Sequence, residues 1–209
     1  LKKTKKDKMP MDELVIRNLK SGVEWTIDSL KGYKLAETGD WLAYQRTRKD
    51  SSLVVSSLDG AQKYILPSSS VYGFAKEKAV LYFVTKEDKD GKKPGLYIWT
   101  AETAQPKLVK EGKGLFIQPA FDKAGNKLAF LYTDDKKEKD YTMGLWISEN
   151  AGEAHELAGR STAGLPEGWV ISPNQRLSFS EDASRLFLGT APAPLRKDST
   201  VLDANRPNV

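Results

Sequence analysis

Three stretches of the chain are near copies of one another: TGDWLAYQRT (38–47), AGNKLAFLYT (124–133) and DASRLFLGTA (182–191). Each is a short polar turn followed by an apolar, aromatic-rich run of strand length, and a weaker copy, KEKAVLYFVT, occupies 77–86. A second block accompanies the first, as ELVIRNLKSG (13–22), SLVVSSLDGA (52–61), GLYIWTAETA (95–104) and GLWISENAGE (144–153). Aligned on the Leu after the turn, the first block is anchored at Leu42, Leu81, Leu128 and Leu186, with separations of 39, 47 and 58. A unit of about 40 residues that returns with insertions is the sequence mark of a stacked repeat architecture.

Periodicity then sets the type of element. In LAFLYT, Leu128, Phe130 and Tyr132 share one face while Ala129 and Leu131 share the other, so both faces are apolar. Such a strand is sandwiched between two layers. The runs that follow each second block behave differently: in VEWTID, Val23, Trp25 and Ile27 alternate with Glu24, Thr26 and Asp28. That alternation predicts one dry and one wet face. Turn residues punctuate the runs at Gly22, Asp59–Gly60, Gly125–Asn126 and Asn150–Gly152, where the chain must reverse. A further run, such as SSVYGFA (69–75) or GLFIQPAF (114–121), precedes the block and raises the count to four strands per unit.

Four-stranded units of this length, with inner strands buried on both sides, are β-propeller blades. A β-sandwich has seven to nine strands over about 100 residues and would not repeat its sequence every 40 to 50. The expected fold is therefore all-β: a propeller of about four blades of four antiparallel strands, forming part of a larger seven- or eight-bladed ring. The approximate blades fall at 13–48, 49–86, 87–133 and 134–191, after a basic flexible segment at 1–12, with 192–209 leading into a further blade. Trp41, Tyr82, Trp99, Phe130 and Trp146 are expected to pack blade against blade.

Charge excludes one class of partner. The 209 residues carry a formal +5, which invites a nucleic-acid reading. However, five lysines and one aspartate in residues 1–8 supply +4 of it, leaving the rest of the chain almost balanced. A solvated basic tail accounts for that, and no nucleic-acid partner is expected. The chain has no cysteine, which excludes disulfides, thiolate metal sites and a cysteine nucleophile. It has no run of 18 apolar residues, so no membrane span is expected. LKKTKKDK has no apolar core behind it, so it does not read as a secretory signal. Leu rather than Met at position 1 reads as a processed or excised segment.

Catalytic and metal chemistry have little to stand on. A nucleophile elbow needs G-x-S-x-G on a tight strand-to-helix turn. In GRSTAG (159–164) the second Gly is one residue late and no helical pattern follows, so Ser161 reads as a loop serine. His155, the only histidine, lies on the polar run AHELAG (154–159) without an evident nucleophile or orienting acid. A lone His without Cys does not make a zinc site. KEDKDGKK (86–93) and DDKKEKD (134–140) do not match a calcium loop and read as solvated hairpin tips. No catalytic residue, metal site or cofactor is expected in this chain. The segment GRSTAGLPEGWVISPNQ (159–175) is longer than its counterparts. Arg160 and Trp169 within it are the candidate partner or substrate contacts; the alternative is a packed connection in which Trp169 and Ile171 cover a blade edge.

KAGNKLAFLYTDD (123–135) running on to GLWISENAGEAHELAG (144–159) resembles the propeller repeat of the TolB and prolyl oligopeptidase families, and it lacks the dipeptides of WD repeats. GWVISPNQRLSFSEDASRLFLGTAPAPLRKDS (168–199), with LDANRPNV after it, is similar to the propeller of bacterial prolyl-oligopeptidase-like serine peptidases. The resemblance runs from about Leu14 onward. It implies a noncatalytic propeller segment that gates or docks peptide substrate to an α/β-hydrolase domain of the same parent chain, the two partners being that domain and the peptide. It also implies periplasmic or exported placement. An alternative is a TolB-like propeller that binds a protein partner with no enzyme attached. A third is a self-contained four-bladed lectin or glycosidase, which needs an inward cluster of carboxylates, whereas the acids here lie in turns and hairpin tips. Exposed blade edges imply self-association.

Overall fold

A computed structural model describes residues 11–47, 52–86, 91–160 and 162–194. The basic tail at 1–10, Ser161 and the stretch 195–209 lie outside the described residues. Within them the chain forms a run of antiparallel meanders. β1 (Asp12–Arg17), β2 (Glu24–Leu35), β3 (Trp41–Arg46), β4 (Leu53–Ser57) and β5 (Lys63–Leu66) make a five-stranded sheet in sequence order. β6 (Ser69–Phe74), β7 (Val80–Thr85), β8 (Gly95–Thr100) and β9 (Lys107–Glu111) make the next sheet. β10 (Leu115–Phe121), β11 (Lys127–Thr133), β12 (Gly144–Glu149) and β13 (His155–Ala158) make the third, with a single helical turn, α1 (Lys139–Thr142), between β11 and β12. The last unit is a two-part hairpin, in which β14 (Trp169–Ser172) pairs with β17 (Gly189–Pro192) and β15 (Ser178–Phe179) with β16 (Leu186–Phe187).

The long β2 serves two units. Its first half pairs with β1, from Arg17 opposite Glu24 to Asp12 opposite Leu30, and its second half pairs with β3, from Leu30 opposite Arg46 to Leu35 opposite Leu42. Ser29, at φ 53°, and a register shift between Leu30 and Gly32 mark the joint. The five strands are thus the outer pair of one blade joined to a full blade of four. The hydrogen-bonded units are phased differently from the cuts at 49–86 and 87–133. Each sheet begins with the short run before the turn and closes after the polar outer strand, so the second spans 69–111 and the third 115–158.

The repeated turn that announces each copy has one geometry. The N–H of Ala36, Ala75, Asp122 and Ser180 donates to the carbonyl five residues on, at Trp41, Val80, Lys127 and Arg185, over 2.9 Å in every case. In three copies the residue three after the donor closes the turn in the left-handed region: Gly39 at φ 77°, Gly125 at 73° and Ala183 at 52°. Glycine takes that conformation without cost, and an L side chain does not.

Between successive units lies one apolar layer. β3 turns Leu42 and Tyr44 toward Ile27, with Leu14, Ile16 and Trp25 packed around them. Its other face sends Trp41 and Ala43 into a cluster with Leu53, Val55 and Leu66 and with Leu81, Phe83 and Trp99 of the second sheet. The third layer joins Val80, Leu96, Ile98 and Val109 to Phe116, Leu128, Phe130 and Tyr132. The fourth joins Ala129, Leu131, Met143 and Leu145 to Ile171 and Leu177. Sheets buried on both faces and stacked in sequence are β-propeller blades. Every aromatic expected to pack between blades does so. Phe130 and Trp99 are fully buried, and Tyr82 and Trp146 pack at the edge of the third layer.

The outer strands keep a wet face, as in β2, where Ile27 is buried while Glu24, Thr26 and Asp28 are exposed. Val23 departs from the expected dry face: it precedes the strand and is 63% exposed.

Candidate functional site

A meander places alternate connections at opposite ends of the sheet, so each blade has two rims. One rim carries the repeated turns. There, Lys123 bridges three consecutive units, with its ammonium 3.4 Å from Glu77 and 3.0 Å from Glu181. A cavity of about 340 Å³ lies beside it, lined by residues that include Lys78, Thr100, Glu102, Lys107 and Asn126. Lys78 Nζ donates to Asn126 Oδ1 over 2.7 Å, and Asn150 N donates to Asn126 O over 2.7 Å. Both signs of charge and mutual hydrogen bonds make this a crevice between turns.

The opposite rim is where inner strands start and second strands end. It holds a larger cavity of about 680 Å³, reached by residues of three sheets: Lys31 of the first, Ser69, Thr85 and Lys86 of the second, and Lys113, Phe116 and Lys136 of the third. Four lysines and no carboxylate are among its described lining residues. The register shift in β2 falls at Lys31, and that in β6 falls between Ser69 and Val71, which also line the cavity. Bulges of this kind bend a strand and re-aim its side chains. Ser69 Oγ donates to Val71 O over 2.8 Å and accepts from Val84 N over 3.1 Å, which satisfies the backbone at the second bulge.

One wall of this cavity is bare backbone. A Cβ at Gly112 would sit 1.9 Å from Tyr132 Oη, and one at Gly114 would sit 2.1 Å from the Thr133 carbonyl oxygen. The connection between β9 and β10 can therefore press against β11 only as glycine. Behind it, Tyr132 Oη donates to Asp134 Oδ1. Burial first, and that carboxylate second, push the Tyr132 phenol up to about 12. Lys110 Nζ lies 4.6 Å from the Tyr132 ring centre and 4.0 Å from that of Trp146, a cation–π clamp on the third blade.

Of the candidate residues, Arg160 lies within and Trp169 directly follows the connection at 159–168, which joins the third sheet to the last unit and is far longer than its counterparts at 67–68 and 112–114. Arg160 is exposed. Trp169 opens β14 opposite Pro192 and is 36% exposed, while Ile171 is buried in the fourth layer. This connection shares its rim with the lysine cavity. His155 is exposed on β13 opposite Ile147. No group of three or more metal-ligating side chains occurs among the described residues.

KEDKDGKK and DDKKEKD read in the sequence as solvated hairpin tips, yet Lys86 and Lys136 from those runs line one cavity with Lys31 and Lys113. The available signal is topological: Lys31 and Lys113 stand at the start of inner strands, Lys86 and Lys136 beyond the ends of second strands, β7 and β11, so all four fall on one rim.

No family model matches the sequence, and no curated protein matches it. Among solved structures, the chain is similar to the tricorn protease, with a TM-score of 0.49 and 11% identity over 66% of this chain and 16% of that one. It is similar to TolB from Acinetobacter baumannii, with a TM-score of 0.47 and 14% identity over 81% of this chain and 41% of that one. It is also similar to the β-propeller domain of the Trilobed protease from Pyrococcus furiosus, with a TM-score of 0.48 and 14% identity over 77% of this chain and 50% of that one. The chain thus spans half or less of each of these proteins.

Proposed function

We propose that the chain is a noncatalytic propeller segment of a prolyl-oligopeptidase-like serine peptidase, and that it gates or docks peptide substrate for a separate α/β-hydrolase domain of the same parent chain. The observation that carries this reading is the blade stack itself. Its buried aromatic side chains, Trp41, Phe83, Trp99, Phe116, Phe130 and Tyr132, are committed to the layers between sheets, which leaves contact with a peptide or a neighbouring domain to the rims. The resemblance of the repeat at 123–159 to the peptidase propeller supplies the parent. On this reading Arg160 and Trp169 meet the peptide or the hydrolase domain, and the protein works in the periplasm or outside the cell. No helix among the described residues is long and apolar enough to cross a membrane.

The second reading is a TolB-like propeller that binds a protein partner without an attached enzyme, favoured by the exposed Arg160 and Trp169 at the long connection between the third sheet and the last unit. The gene separates the two. A coding sequence that continues for several hundred residues past Val209 with G-x-S-x-G, then Asp and His, supports the peptidase; an early stop codon overturns it. On a chromogenic proline peptide the 209-residue chain alone is expected to show no hydrolysis, and turnover would overturn the noncatalytic assignment.

A further inference from the structure

We propose that the lysine-lined cavity on the rim of the inner-strand starts is a binding site for an acidic peptide segment. The inference rests on the reading of the chain as a propeller that meets peptides, and it names the class of peptide.

Lys31, Lys86, Lys113 and Lys136 come from four separate connections or bulges and line one space. As a sphere, 680 Å³ is about 11 Å across, close to the ~8 Å over which charges still act on one another at physiological salt. A cleft lined by one sign of charge with low-dielectric walls concentrates its field on whatever enters.

The rest of the lining selects among anions. Val71, Val84, Pro94 and Leu115 supply aliphatic surface, and Gly112 and Gly114 supply bare backbone against which an extended chain can lie. Phe116, the one aromatic residue among the described lining, is 8% exposed. Single-stranded nucleic acids are held by stacking bases on exposed aromatic faces, and this cavity offers none. Alternating carboxylate and aliphatic side chains fit lysine and aliphatic walls.

Fluorescence anisotropy of the 209-residue chain with labelled ELELEL and QLQLQL tests this. ELELEL is expected to bind about tenfold more tightly than QLQLQL, with the preference shrinking as salt rises. The K31Q/K86Q/K113Q/K136Q variant is expected to lose the preference. A control, K20Q/K63Q/K76Q/K107Q, which alters exposed lysines at the other rim, is expected to keep it. Circular dichroism confirms that both variants fold, and single K86Q and K113Q variants are expected to fall between. Equal binding of the two peptides, or a preference that survives the first variant, overturns the proposal. Binding of inorganic phosphate or of a six-residue thymidine oligonucleotide as tightly as ELELEL also overturns it, by reducing the site to a charge trap or a nucleic-acid groove. If both peptides bind equally and tightly, charge selection fails while a peptide-meeting propeller stands.

Discussion

At the scale of single residues, the repeated turn makes its demands visible by comparing its own copies. Gly125 closes the turn at φ 73°, and a Cβ there would also lie 2.9 Å from the Ala75 Cβ of the neighbouring blade. Gly39 closes the equivalent turn at φ 77° with nothing within 4 Å. Gly39→Ala is therefore expected to cost about 1 kcal/mol through backbone strain alone, and Gly125→Ala more, because the blades must also part. Ala183 already bears that strain at φ 52°, so Ala183→Gly is expected to be neutral or to stabilise by up to ~1 kcal/mol; urea unfolding of the three variants ranks them. The same turn holds a pH-sensitive carboxylate. Ser180 Oγ donates to Asp182 over 2.6 Å, and the N–H and hydroxyl of Ser184 donate over 3.1 and 2.8 Å. Led by the Ser180 bond, these hold the Asp182 carboxyl down to about 2, from 3.8. A depressed carboxyl stabilises the fold above its unfolded value, and the benefit is lost as pH falls through the folded one. Asp182→Asn is thus expected to lower the melting temperature at neutral pH, with the gap to the wild type closing between pH 3.8 and about 2; a gap that does not change with pH would remove the charge from the explanation.

At the scale of elements, stability resides in the layers between sheets, and the second layer shows how. Trp99 is fully buried, with its ring centre 5.2 Å from that of Trp41 and 5.4 Å from that of Tyr64. Removing it opens a large void between two rigid sheets, and Trp99→Ala is expected to cost about 3–5 kcal/mol. Trp169→Ala, at a half-exposed strand end, is expected to cost under ~1 kcal/mol. Equal losses in denaturant unfolding would contradict the packing assigned here. These layers were legible in the sequence because alternation in a strand maps directly onto faces: Leu128, Phe130 and Tyr132 pack into one layer and Ala129 and Leu131 into the next, as the pattern requires. The phasing of the units was not legible, since β2 runs unbroken from the outer strand of one blade into the inner strand of the next, and no turn residue marks the change of partner at Ser29. The lysine cavity was hidden for another reason. Lys31 and Lys136 are distant in sequence and become neighbours only when three sheets stack, and each sits in a charged or polar stretch that reads as solvated surface.

At the scale of the whole molecule, the first strand of the stack has an open edge set beside exposed apolar side chains. Among the described residues β1 pairs with β2 alone, so its other edge presents peptide groups that can template a strand from a second molecule. The face around it adds apolar surface: Leu14 and Ile16 turn into the first layer, while Val15 faces outward at 55% exposure, with Met11 at 58% and Val23 at 63% nearby. Hydrogen-bonding edge and apolar side chains together favour association, whereas a charge on that face opposes it, because docking would strip its water. The chain is expected to show concentration-dependent association in light scattering, and Val15→Lys is expected to suppress it. Val15 is exposed and outside the layer, so the same substitution should shift the unfolding free energy by no more than ~0.5 kcal/mol. A wild-type chain that stays monomeric at high concentration would mean that this edge is covered, whereas association unchanged by Val15→Lys would move the contact to another part of the stack.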